Sequence, residues 1–77
     1  MSFEVKFEPK PEKELNKLPK DILERILDKL ELLKESPFNY LEHYEGNAYK
    51  LRVGDYRLLI DVDFTRKLIL ISRTTSQ

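Results

Sequence analysis

The first periodic stretch of the chain is residues 2 to 7, where Phe3, Val5 and Phe7 alternate with Ser2, Glu4 and Lys6. Alternation with period two puts the apolar side chains on one side of an extended backbone, so a half-buried strand is predicted there. Pro9 and Pro11 end it, because proline has no amide hydrogen to give to a strand ladder. Glu12 to Lys17, with Leu15 and Leu18, predict a short helix that Pro19 closes. Behind Asp21, a candidate cap with Glu24 three positions on, Ile22, Leu23, Ile26, Leu27, Leu30 and Leu33 recur at helical spacing. Glu24, Arg25, Asp28, Lys29 and Glu31 fall on the other side of that helix and read as its solvated face, and Ser36-Pro37 ends it.

Phe38 to Asn47 mixes rings with turn-forming residues and keeps no period, which predicts a connection that lays aromatic side chains on the edge of the core. Three further strands follow, Ala48 to Val53, Tyr56 to Val62 and Lys67 to Arg73, divided by Gly54-Asp55 and by Asp63 to Arg66. The order predicts an α+β fold: an N-terminal strand, a two-helix hairpin, then a three-stranded antiparallel meander with the helices on one face of the sheet. At 77 residues the whole chain, 1-77, is expected to form a single domain around one core.

Chemistry is narrowed by what the chain lacks. It has no cysteine and one histidine, His43, so neither a disulfide scaffold nor a thiolate metal site is available, and no metal or cofactor is expected. No apolar run approaches the ~18 residues of a membrane span, and the N-terminus has no signal-peptide profile, so a cytoplasmic protein without a membrane partner is expected. No nucleotide-binding glycine loop and no serine or cysteine triad is recognisable.

Charge changes the picture only when divided by segment. Lys+Arg and Asp+Glu both total 14, which as a whole argues against a nucleic-acid partner. Met1 to Glu45, however, holds eight basic and eleven acidic residues, whereas Gly46 to Gln77 holds six basic and three acidic. The zero is therefore a cancellation of minus three against plus three, with the positive surplus on the predicted meander.

Strand parity says where those cations point. In Ala48 to Val53, Lys50 and Arg52 project opposite Tyr49, Leu51 and Val53. A two-residue Gly54-Asp55 loop pairs Val53 with Tyr56, sets Arg52 against Arg57 and brings Lys50 beside Leu59. Like charges directly opposite one another destabilise a sheet unless an anion bridges them. The next loop holds four residues or five. Five would pair Asp61 with Lys67 and put Arg57, Leu59, Ile69, Ile71 and Arg73 on one face; four would reverse that parity. The five-residue version is favoured for its charge match. His43 reads as a loop residue, Tyr49 and Tyr56 as core aromatics, and Asp61 and Asp63 as turn or cross-strand partners.

The run Glu45-Gly46-Asn47-Ala48-Tyr49-Lys50-Leu51-Arg52-Val53-Gly54-Asp55-Tyr56-Arg57, with the apolar Leu58 to Val62 and Ile69-Leu70-Ile71-Ser72-Arg73, resembles the RelE/ParE superfamily of toxin-antitoxin toxins. The element order and the Leu18-Pro19 break fit that family as well, so the resemblance spans nearly the whole chain. It implies a RelE-like mRNA interferase: a metal-free endoribonuclease that enters the ribosomal A site, where the ribose 2′-hydroxyl attacks the adjacent phosphate and clustered cations orient the backbone. By that resemblance Lys50, Arg52, Arg57 and Arg73 take the positions of the family's catalytic cations. The implied partners are a cognate antitoxin, the ribosome and mRNA. The sequence departs from the pattern at Ser72, where a His or Lys is common before the last arginine, and at Thr74 to Gln77, which hold no tyrosine. Those departures leave the general base unassigned and keep two alternatives open: a ParE-like inhibitor of gyrase, and a catalytically inactive binding module of the same fold.

Overall fold

The alternating N-terminal stretch is a strand, β1 (Glu4–Phe7), in the computed structural model, which describes residues 2–76. Helix α1 (Pro9–Asn16) follows at once and begins three residues before the expected Glu12. Both prolines sit in its first turn, where an amide hydrogen has no intrahelical acceptor and the fixed φ suits a helix; they end the strand and start the helix together. Helix α2 (Lys20–Glu35) is the long amphipathic segment. Its N-cap is Pro19, whose carbonyl accepts from Ile22 and Leu23, while Asp21 lies in the first turn and makes no side-chain cap. Asp21 therefore favours the helix through its charge near the positive end of the helix dipole rather than as the expected capping group.

After a 3-10 turn (Pro37–Asn39) the chain forms β2 (Glu42–Glu45), β3 (Ala48–Val53), β4 (Tyr56–Asp63) and β5 (Leu68–Ser76). Strand β2 lies in what the sequence predicts as a connection, and all four of its residues are exposed. An edge strand wetted on both sides carries no period-two signal. The last strand also runs past Arg73 through Thr74 and Thr75; Met1 and Gln77, the ends of the segments considered above, lie outside the described residues.

The five strands make one sheet in the order β1-β5-β4-β3-β2. The expected antiparallel meander is present as β3, β4 and β5, but the sheet is mixed, because β1 lies parallel to β5. Val5 and Phe7 register with Ile69 and Ile71, so the apolar stripes of the first and last strands share one face. On that face Leu15, Ile26, Leu30 and Leu33 of the helices meet Leu51, Leu58, Ile60, Val62, Ile69 and Ile71 of the sheet, each 3% exposed or less. Burying one such side chain stabilises a fold by about 1.5 to 3 kcal/mol, so this layer carries most of the stability. No polar or charged side chain among the described residues is buried. The other face of the sheet has no helix over it and carries the charged residues.

Candidate nucleic-acid interface

The β3–β4 hairpin places the first three cations. Gly54 adopts φ +60°, a conformation that favours glycine, and closes the two-residue turn with Asp55. Val53 therefore pairs with Tyr56, Arg52 with Arg57 and Lys50 with Leu59, the register expected from the sequence. Arg52 is held against its own turn, its Nε donating to the Gly54 carbonyl at 3.2 Å.

The β4–β5 hairpin departs from expectation twice, and the departures compensate. Asp63 pairs with Leu68, so the loop holds four residues, Phe64 to Lys67, and Lys67 takes a left-handed φ of 56°. The carboxylate of Asp63 sets this turn, with Oδ1 accepting from the amides of Thr65 and Arg66 at 3.0 Å each. Asp61 consequently faces Leu70 rather than Lys67, and Ile69 and Ile71 lie fully buried on the covered face instead of beside Arg57. Continued unchanged, this register would turn Arg73 into the core. A β-bulge prevents it: Ile60 pairs with Ile71 but Leu59 with Arg73, leaving Ser72 as the extra residue. The Ser72 hydroxyl donates to the Leu59 carbonyl at 3.2 Å and secures the bulge. Arg73 thus shares the open face with Lys50, Arg52 and Arg57, and Thr75 stands opposite Arg57.

The four candidate residues are therefore brought onto one face of three adjacent strands. Lys50 is partly neutralised, with Nζ 3.8 Å from Glu42 Oε1 and 5.5 Å from the centre of the Tyr44 ring. Among the described residues no carboxylate lies within ion-pair distance of Arg52, Arg57 or Arg73. Lys50, Arg52 and Arg57 line a cleft of about 300 Å³ whose remaining walls are Tyr40 and Glu42. Two fork-shaped guanidinium groups and an ammonium group in a shallow cleft suit an anion with several oxygens, such as a phosphodiester. Among the described residues no cluster of His, Asp or Glu could hold a metal ion.

Tyr40 and Glu42 are site residues that the sequence does not disclose. They precede and open the edge strand β2, and the cross-strand pair of Glu42 with Lys50 is what brings the carboxylate to the cleft. His43, the next residue, pairs with Tyr49 and points to the other face, where its Nε2 lies 3.0 Å from the Gly46 carbonyl oxygen and its ring 5.3 Å from that of Tyr49. It has no part in the cleft.

A two-helix layer on one face of a mixed sheet, with the first strand beside the last, is the architecture of RelE-type toxins. The RelBE2 toxin-antitoxin complex of Mycobacterium tuberculosis contains a chain that superimposes with a TM-score of 0.87 at 23% identity, covering 100% of both chains. The archaeal RelE-RelB complex of Pyrococcus horikoshii gives 0.85 at 27% identity over 99% of this chain and 96% of that one. The isolated RelE toxin of Escherichia coli gives 0.82 at 22%, over 99% and 84%. No curated protein matches the sequence significantly. The chain belongs to the RelE/ParE superfamily of toxins of type II toxin-antitoxin systems, and the family model described as "ParE toxin of type II toxin-antitoxin system, parDE" matches residues 5–77.

Proposed function

We propose that this toxin acts as a RelE-like endoribonuclease whose open sheet face grips the backbone of mRNA at the ribosome. The observation that carries the reading is the convergence of Lys50, Arg52, Arg57 and Arg73 on that face, three of them without a carboxylate partner among the described residues. In the reaction the ribose 2′-oxygen attacks the adjacent phosphorus as its proton passes to a base, a 2′,3′-cyclic phosphate forms as the P–O5′ bond breaks, and the 5′-oxygen leaves taking a proton from solvent. The arginines stabilise the charge that builds on the phosphoryl oxygens, and Lys50 orients the backbone. Glu42 fills the role that the sequence leaves unassigned: it is the carboxylate lining the cleft, and we assign it the proton of the 2′-hydroxyl. Its partner Lys50 lies across the strand pair with Nζ 3.8 Å from the carboxylate.

Relatives of this fold are found in complex with antitoxins, and an acidic antitoxin segment on this surface would relieve the Arg52/Arg57 repulsion. The family-model match favours one second reading, a ParE-like inhibitor of gyrase that uses the open face for protein binding.

Primer-extension mapping of mRNA in a cell-free translation reaction separates the two. The expected result is cleavage within the A-site codon that is lost in Arg57→Ala, and lost in Glu42→Gln without loss of RNA binding. Intact mRNA together with inhibited gyrase would replace the ribonuclease reading with the second one.

A further inference from the structure

One ring of the cleft wall, Tyr40, and a second next to it on β2, Tyr44, are left unused by the phosphate chemistry. Tyr40 is 38% exposed and lines the cleft beside Arg52 and Arg57, and Tyr44 is 55% exposed and lies against Lys50. The other two tyrosines, Tyr49 and Tyr56, pack against the core as ordinary half-buried aromatics. Both rings are only partly covered, and both lie under cations: Lys29 Nζ is 5.1 Å from the Tyr40 centroid and Lys50 Nζ 5.5 Å from that of Tyr44. A cation takes one face of a ring and leaves the other for a stacking partner. The arrangement thus joins a row of guanidinium groups on β3, β4 and β5 to a pair of anchored rings at the β2 edge. With neighbouring strands ~4.8 Å apart, Arg52 and Arg73 lie two strand spacings, roughly 10 Å, apart across the sheet, Arg73 standing opposite Leu59 rather than Arg57.

We infer that Tyr40 and Tyr44 are base-stacking residues, which makes the ligand of this face a single-stranded, unpaired stretch of RNA rather than a duplex. Resting on the ribonuclease reading above, the inference adds what recognises the bases to what holds the phosphates. Unpaired bases offer open π faces that a duplex keeps stacked internally, and positively charged grooves that track single strands combine with such rings. Glu42 agrees with this division, because a carboxylate on the β2 wall of the cleft repels a phosphate and leaves that side to the sugar and base.

The test compares the affinity of the intact protein for three probes: a short oligoadenylate, a ribose-phosphate strand of the same length without bases, and a duplex RNA of that length. The expected result is oligoadenylate bound at least about tenfold more tightly than the base-free strand, with Tyr40→Ala and Tyr44→Ala each removing about tenfold on oligoadenylate only. Unchanged binding of the base-free strand by these variants shows that they remain folded, and Tyr44→Phe, which keeps the ring, retains the wild-type preference. Arg57→Ala weakens both single strands alike. Equal wild-type affinity for all three probes, still sensitive to Arg57→Ala, would overturn the stacking assignment and leave the phosphate reading standing. Failure to bind any of them, or indifference to Arg57→Ala, would remove both.

Discussion

On the covered face of the sheet Leu58, Ile60, Ile69 and Ile71 have no exposure to solvent, whereas on the open face of the same strands Arg57, Asp61 and Arg73 are exposed and Leu59 and Leu70 only half-buried. The two faces are built from alternate residues of one backbone, so propensity and register are common to them. What separates them is the energetic demand each meets. The covered face is set by burial, and every side chain on it has apolar neighbours. The open face keeps Arg52 opposite Arg57 with no carboxylate at ion-pair distance among the described residues, an arrangement that folding alone disfavours. A repulsive pair left in register, beside a bulge that turns a further arginine to the same side, is what the proposed RNA-binding role calls for.

The contrast breaks most sharply at two neighbouring positions. Ile60→Ala removes a fully buried side chain from the centre of β4 and is expected to cost about 2 to 5 kcal/mol of unfolding free energy, read as a lowered urea midpoint. Asp61→Ala, one residue on and facing out, is expected to stay within about 0.5 kcal/mol of the parent. Comparable losses at both positions would mean that the open face also contributes to the core.

A smaller effect of opposite sign sharpens the same comparison. Replacing Arg57 by threonine removes the like-charge pair and sets two threonines opposite each other on β4 and β5, so thermal unfolding should show a gain of about 0.2 to 1 kcal/mol. The same variant should lose RNA affinity. A variant that is both less stable and unaffected in binding would show that Arg57 serves the fold.

The covered face and the β3–β4 register were legible in the sequence for physical reasons. Period two and period 3.6 report burial on one side, and a glycine at φ +60° fixes a two-residue turn. The β4–β5 register was not, since a cross-strand charge match between Asp61 and Lys67 is a weak contribution beside two amides bonded to the Asp63 carboxylate. Arg73 reached the predicted face through the bulge at Ser72, not through the predicted loop, and no pattern in the sequence marks that bulge. Parallel pairing of β1 with β5 joins the two ends of the chain, which local periodicity does not report. Strand β2 was missed because Glu42, His43, Tyr44 and Glu45 are all exposed, and with it went Glu42 and Tyr40, which complete the cleft. The cations could be read from parity alone; the groups that face them depended on an edge strand held by its partner.

The central claim is that the open-face cations take up RNA phosphates, and the salt dependence of affinity for a single-stranded RNA tests it most directly. Contacts from Lys50, Arg52, Arg57 and Arg73 predict a slope of log affinity against log salt of roughly −3, falling by about 0.7 for each cation removed by alanine substitution. A flat response, or a slope indifferent to Arg52→Ala, Arg57→Ala and Arg73→Ala, would contradict it.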